Sequence, residues 1–122
     1  MNIIADKFGE FVVRNLRDKA IKQHKILLCG QLKGKYIQEL QSQVVKLPDE
    51  YKQLIESIVI DIIDTAAHDL LYAIQDGCDR DIGIDVIVDG HNVAKSSGML
   101  HGEYFGEGGW VKRYSEYANL GR

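Results

Sequence analysis

The stretch PDEYKQLIESIVIDIIDTAAHDLLYAIQDG, residues 48–77, decides the fold. Proline suits the first turn of a helix, and the two carboxylates that follow it complement the positive end of the helix dipole. We predict one helix from about Pro48 to Asp76, stopped by Gly77. Its apolar residues fill about half of the wheel at 100° per residue, so we expect it to be the central helix. They are Ile55, Val59, Ile62, Ile63, Ala66, Ala67, Leu70, Ala73 and Ile74.

Two further helices are predicted on the N-terminal side of this one. Apolar residues at spacings of three and four predict a helix from about Ile3 to His24, and the apolar residues 26–29 either extend it or bury its end. A second run of the same kind predicts a shorter helix from about Lys35 to Val45. We expect both to pack on the central helix.

The residues after the central helix change in character. Residues 81–88 alternate and are rich in β-branched side chains, which predicts a strand. Asp89-Gly90 is a strong hairpin signal, and residues 91–94 can form the returning strand. The predicted fold class is therefore α+β and helix-dominated, with about three N-terminal helices, a central helix near 48–76, a small β-hairpin and an aromatic, glycine-rich tail.

This tail is too apolar to lie free in solvent. Nine of the twelve glycines follow Asp76, and they alternate with large aromatic side chains that can anchor the segment. We predict a short final helix around Trp110 and expect the tail to fold onto the polar edge of the central helix. Trp110 or Tyr114 would then lie near His68, and Glu103 or Arg113 would pair with one of three residues, Asp61, Asp64 and His68.

Length and composition set the class of protein. A chain of 122 residues with 45% hydrophobic and 27% charged residues is typical of one soluble globular domain, which we assign to residues 1–122. The sequence begins without the features of a secretory signal peptide, and its most apolar run is too short and too acidic for a membrane helix. We therefore expect a cytoplasmic protein without membrane contact, in which Cys29 and Cys78 are reduced and buried.

Charge is distributed unevenly along the chain. Residues 1–47 carry nine basic and four acidic residues, a balance of +5, whereas residues 48–122 carry six and fourteen, a balance of −8. The split can mark a binding face, but helices from the two halves that pack side by side would neutralise each other. The sequence pI of about 5.8 and the scattered basic residues argue against nucleic-acid binding.

One group of polar residues on the central helix could carry chemistry. Asp61, Asp64 and His68 stand at positions i, i+3 and i+7, and they line one edge of the helix over two turns. Together with His91, His101 or Glu103 from the later part of the chain they could ligate a divalent metal, because carboxylate and imidazole suit several such ions. The same residues also fit a solvated helix face, so we assign no metal and no cofactor. Glycines of the tail match no nucleotide-binding loop.

The sequence resembles a group of small uncharacterised bacterial proteins. The strings that carry the resemblance are Asp64-Thr65-Ala66-Ala67-His68, Gly98-Met99-Leu100-His101-Gly102-Glu103 and Gly109-Trp110-Val111-Lys112-Arg113-Tyr114-Ser115-Glu116-Tyr117. In that group a D-T-x-x-H helix precedes an acidic hairpin and a tail with G-L-x-G-E and G-W-x-x-R-[FY]-S-x-Y motifs. The resemblance covers about the last 70 residues. It implies a bacterial cytosolic protein and directs attention to Asp64, His68, Glu103, Trp110 and Arg113, but it implies no substrate.

Two function classes are compatible with these observations. The first is a non-enzymatic protein-binding module, of inhibitor or immunity type, in which the acidic second half and the tail aromatics contact another protein. The alternative is a small metal-dependent hydrolase that uses Asp61, Asp64 and His68. The candidate binding residues are Asp61, Asp64, His68, His101, Glu103, Trp110 and Arg113, and the sequence leaves open whether the protein is an enzyme.

Self-association is a further prediction. A central helix with half of its circumference apolar can exceed what a chain of this length covers, and Phe8, Phe11 and Val12 form a second stripe on the first helix. A homodimer through such stripes is therefore compatible with the sequence.

Overall fold

The structure is a computed structural model that describes residues 2–122. Its first helical segment is continuous and has three parts: α1, Ile3–Val12, a π-helical turn, Val13–Arg17, and α2, Asp18–Leu28. The side chain of Asn2 caps its N-terminus by accepting a hydrogen bond from the Ala5 N–H at 3.0 Å. The helix ends at Leu28, four residues beyond His24, so the apolar residues that follow His24 extend it.

The predicted central helix is α4, Asp49–Asp79, and α3, Lys35–Val44, precedes it. Gly77 does not stop α4, because the helix ends in a Schellman motif with Asp81 in the left-handed conformation, at φ 58°. The Ile82 N–H donates to the Gly77 carbonyl at 3.0 Å, and the Asp81 N–H donates to the Cys78 carbonyl at 3.1 Å. The absent side chain of Gly77 leaves room for Ile82, since a Cβ there would lie 2.8 Å from the Ile82 Cδ1.

The C-terminal third contains short elements. Strands β1, Ile87–Val88, and β2, His91–Asn92, form an antiparallel hairpin whose turn is Asp89-Gly90, as the sequence predicted. The strands are shorter than predicted, because the chain after Asn92 turns directly into α5, Val93–Ser97. A 3₁₀-helix, Leu100–Glu103, and α6, Trp110–Tyr114, complete the order of elements. The protein is thus helix-dominated α+β, in agreement with the predicted class.

The long first helix and α4 pack antiparallel to each other. Two contacts establish the direction, since Arg17 pairs with Asp64 whereas the later Lys25 pairs with the earlier Glu56. The C-terminal elements cover one side of this helix pair and complete the hydrophobic core. The largest side chains of that core are Trp110, Tyr104, Leu71, Leu100, Val13 and Val93.

The buried stripe of α4 differs from the predicted one. Ile62 was expected in the core, but it is 61% exposed, and the stripe that is buried consists of Ile60, Asp64, Ala67, Leu71 and Gln75. Two polar side chains explain the difference, because each has a specific partner in the buried interior. Asp64 accepts hydrogen bonds from Arg17, and the Gln75 Oε1 accepts one from the Leu100 N–H at 2.9 Å.

Two more properties follow from the structure. Both cysteines are free, and Cys29, which was predicted to be buried, is exposed at the end of α2, whereas Cys78 is half-buried. Within residues 2–122, every helix is too short or too polar to cross a lipid bilayer.

Candidate functional site

The first helix and α4 are joined by a buried ion pair. The π-helical turn ends at Arg17, whose side chain is buried, and the Arg17 Nε donates to the Asp64 Oδ1 at 2.7 Å. The Arg17 Nη2 donates to the Asp64 Oδ2 at 3.4 Å. The Tyr104 hydroxyl donates to the Asp64 Oδ1 at 2.8 Å. Both carboxylate oxygens of Asp64 are therefore engaged by neighbouring side chains.

The same arginine also holds the C-terminal segment. Its Nη1 donates to the Ser115 Oγ at 2.8 Å and to the Tyr117 carbonyl at 2.9 Å, and its Nη2 donates to the Leu120 carbonyl at 2.6 Å. Asp18 accepts two more bonds from this segment, one from the Ser115 hydroxyl and one from the Glu116 N–H at 2.9 Å. Arg17 thus connects its own helix to α4 and to the C-terminal segment. Its role is therefore structural.

Tyr104 is a hydrogen-bond donor in this network. Burial raises the pKa of its hydroxyl far above the ordinary value, and the nearby Asp64 carboxylate raises it further because an anionic phenolate would be repelled. Tyr104 therefore stays protonated, and its hydroxyl donates a hydrogen bond to Asp64. The Oδ1 of Asp64 thus accepts two short hydrogen bonds, from Arg17 and Tyr104, whereas its Oδ2 accepts one long hydrogen bond from Arg17.

Two residues of the tail contact α1 instead of α4. Arg113 was expected to pair with Asp61, Asp64 or His68, but its Nη2 donates to the Asp6 Oδ1 at 2.8 Å. Trp110 was expected near His68, but its Nε1 donates to the same Asp6 oxygen at 3.3 Å. The hydrogen bond from Arg113 is the main reason that the pKa of Asp6 is lowered.

The reason for this placement is a glycine on α1. The indole of Trp110 lies against Gly9, where a Cβ would come within 2.2 Å of two ring atoms. Phe8 meets the same ring edge-on, with 6.3 Å between ring centroids. The missing side chain of Gly9 therefore leaves a flat surface on α1 for the indole, and this contact holds α6 against α1.

Three of the predicted site residues come together on another surface. His68 on α4 meets His101 of the 3₁₀-helix edge-on, with 5.6 Å between ring centroids. The Tyr72 and His101 ring centroids are 4.9 Å apart. Phe105 is stacked on His68, with 6.1 Å between their ring centroids. We call His68, Tyr72, His101 and Phe105 the His/aromatic cluster. Asp61 lies beside it, because the Arg122 guanidinium contacts both the Asp61 carboxylate, at 3.4 Å, and the Phe105 ring, at 4.8 Å from its centroid.

The cluster is half-exposed and contains an unpartnered polar atom. His68, His101 and Phe105 are each partly buried, and Tyr72 is exposed. The Nδ1 of His101 is buried and has no hydrogen-bond partner within residues 2–122, and the same is true of the Oε2 of Glu103. Because both atoms are shielded from solvent, each missing hydrogen bond is a cost within the fold.

Glu103 lies on the side of Arg113 and not in the cluster. Its negative charge is one of the causes, after the Asp6 hydrogen bond, that raise the pKa of Arg113. The seven predicted candidates are therefore divided among three places: Asp64 in the buried ion pair, Glu103, Trp110 and Arg113 near α1, and Asp61, His68 and His101 at the cluster.

Sequence reasoning missed Tyr72 and Phe105. Tyr72 follows His68 by one helical turn, so the i, i+4 spacing alone could have placed the two rings on the same face. Phe105 has no such signal, because its position depends on the path of the chain between the 3₁₀-helix and α6.

The hydrolase alternative required Asp61, Asp64 and His68 to converge. Asp64 is instead bonded to Arg17 and Tyr104, and Asp61 to Arg122. In the part of the chain from residue 2 onward, no three His, Cys, Asp or Glu side chains are placed to hold a metal ion. This geometry gives a metal-dependent reaction no support.

Comparison with known proteins adds no assignment. No protein-family model matches the chain, and no curated protein or solved structure matches it either. The resemblance to small bacterial proteins that the tail motifs suggested therefore stays a prediction.

Proposed function

We propose that this chain is a non-enzymatic protein-binding module, of inhibitor or immunity type, and that the His/aromatic cluster is its contact surface. The observation that carries the proposal is a half-exposed group of four rings, in which Tyr72 is 53% exposed and the other three rings are partly buried. Aromatic side chains are enriched at the centres of protein interfaces, where they contribute large contact area at low entropic cost. We place the protein in the bacterial cytoplasm on the strength of the resemblance.

The charge beside His68 favours a basic partner. The exposed Asp69 lies 3.5 Å from the His68 Nδ1. Asp61, at one edge of the cluster, is already paired with Arg122, which also covers the Phe105 ring. A lysine or arginine of the partner could therefore pair with Asp69 and lie over the exposed Tyr72 ring as a cation over a π face.

Affinity capture from the native cell extract tests this function. The wild-type protein is expected to retain one basic protein in stoichiometric amount, and high salt is expected to release it. The Tyr72→Ala variant is expected to bind that protein about 30-fold more weakly, because truncating a central interface aromatic costs about 2 kcal/mol.

The matched control is Tyr51→Ala. Tyr51 is on the same helix and is 51% exposed, against 53% for Tyr72, but it lies outside the cluster. This variant is expected to bind like the wild type. Failure to recover a stoichiometric basic protein, or equal loss of binding in both variants, would refute the proposed function.

A further inference from the structure

One side of the helix pair carries an apolar surface that the chain leaves open. Val59, Ile63, Leu70 and Ile74 follow each other along α4 at spacings of four, seven and four, so they form one stripe. This stripe is rotated by about 90° from the buried stripe at 100° per residue. Leu70 is 56% exposed.

The first helix meets this stripe across a groove of about 260 Å³. Phe8, Phe11 and Leu16 line one wall, and Leu70 and Ile74 line the other. The groove contains no charged side chain, and Asn15 is its one polar residue.

A second groove, of about 440 Å³, continues along the same stripe towards the other end of α4. Leu27 of α2, Leu40 of α3 and Ile63 of α4 contribute to its walls. We call the surface formed by the two grooves the open face. Helix α3 shows that this surface is incomplete, because the one buried residue of this amphipathic helix is Gln41. A short helix such as α3 is normally stabilised by burying its apolar residues against other parts of the protein.

The exposed area agrees with a missing partner. The described chain exposes 7839 Å², whereas a monomeric protein of 13.8 kDa exposes about 6,600 Å². The excess of about 1,200 Å² exceeds the roughly 800 Å² that each partner contributes to an interface of standard size.

The charge pattern favours a second copy of this chain as the covering partner. Neither groove is lined by Asp, Glu, Lys or Arg, so two identical faces can meet without burying like charges. A two-fold axis needs such a self-complementary surface. Two antiparallel helix pairs that meet face to face form a four-helix bundle, which is a common arrangement.

We propose that the open face is the interface of a homodimer, in which the helix pairs of two copies form a four-helix bundle. This surface lies on the opposite side of α4 from the His/aromatic cluster, so the dimer does not depend on the proposed function. Each copy keeps its cluster exposed to solvent.

Light scattering at tens of micromolar tests the proposal with the full chain. The wild type is expected to have twice the monomer mass of 13.8 kDa. Phe11→Glu and Leu70→Glu are each expected to halve that mass, because they place a charge in the contact while both side chains are exposed in the single copy. Circular dichroism checks that each variant keeps its helices, and Leu40→Glu on α3 replaces either variant that unfolds.

The matched control is Ile84→Glu. Ile84 is 65% exposed and lies between α4 and β1, away from both grooves. This variant is expected to keep the dimer mass. A monomer mass for the wild type, a dimer mass for the folded variants of the open face, or loss of the dimer in Ile84→Glu would each overturn the proposal. Tyr72→Ala is expected to leave the mass unchanged, which separates failure of the dimer from failure of the proposed function.

Discussion

At the scale of single residues, Arg17 has the most partners. Its guanidinium has five N–H groups, and the structure gives them five acceptor contacts on Asp64, Ser115, Tyr117 and Leu120. Lysine could not replace it, because one ammonium group cannot reach acceptors on both sides of a planar fork. Arg17 is the last residue of the π-helical turn, and its side chain lies between the two helices.

We expect Arg17→Met to lower the free energy of unfolding by about 3–5 kcal/mol, because the Asp64 carboxylate would stay buried without its counter-charge. Urea unfolding of the two proteins measures the difference. Arg14→Met is the control, since Arg14 is exposed and pairs only with Glu10 at 3.8 Å. The double variant Arg17→Met with Asp64→Leu should lose less than the two single variants added together. A loss below about 1 kcal/mol in Arg17→Met would contradict this role.

His24 gives the stability a pH dependence. Burial is the main cause that lowers the pKa of its imidazole below 6.5, Lys25 lowers it further, and Glu56 opposes the shift. The unfolded chain therefore binds a proton more readily than the folded one as the pH falls through 6.5. The free energy of unfolding is expected to have its full value above pH 6.5 and to decrease as the pH falls below 6.5.

The comparison of wild type with His24→Gln isolates this effect from the other three histidines. Between neutral and mildly acidic pH, we expect the wild type to lose more stability than the variant. Unfolding curves that fall in parallel over this range would show that His24 does not contribute.

At the scale of elements, the contact between α1 and α6 depends on the absence of a side chain at Gly9. Glycine weakens a helix by about 1 kcal/mol relative to alanine, so an isolated α1 would be stabilised by Gly9→Ala. In the folded protein the added Cβ would lie 2.2 Å from the Trp110 indole, which cannot move away because it is buried. The cost of this clash with Trp110 therefore outweighs the gain in helix propensity from alanine.

We expect Gly9→Ala to lower the free energy of unfolding by about 1–3 kcal/mol, the usual cost of overpacking a core. The fluorescence of Trp110, the single tryptophan of the chain, is expected to change as well. Gly102→Ala is the control, because the Cβ there meets the flexible Met99 side chain at 2.8 Å. A Gly9→Ala variant more stable than the wild type would refute the proposed packing of α6.

At the scale of the whole molecule, local sequence signals predicted where helices and turns lie better than they predicted which side of a helix is buried. The start of α4 and the Asp89-Gly90 turn depend on residues that are adjacent in the chain, and both are where the sequence predicted them. The direction in which α4 faces depends on Arg17, which is 47 positions away from Asp64. An apolar arc cannot reveal a polar pair of that kind, so Ile62 was wrongly placed in the core.

The candidate site followed the same rule. His68 and Asp61 were identified from spacing on one helix, and His101 was added from the composition of the tail. Their meeting with Phe105 depends on the path of the tail, which is fixed by bonds to Arg17 and Asp18 and by the indole on Gly9. Arg113 could equally have paired with any exposed carboxylate, and only the position of Trp110 directs it to Asp6.

The π-helical turn at Val13–Arg17 lets this fold accept two spacings between Gly9 and Arg17. Such a turn corresponds to one residue inserted into an α-helix, and its greater width absorbs the rotation of about 100° that the extra residue would otherwise cause. Deleting one residue there would therefore restore an ordinary α-helix in which the glycine still faces Trp110 and the arginine still faces Asp64. A homologous chain can keep both contacts with seven residues between its glycine and its arginine and a π-helical turn, or with six residues and an uninterrupted α-helix, and distant homologues can be sought by either spacing.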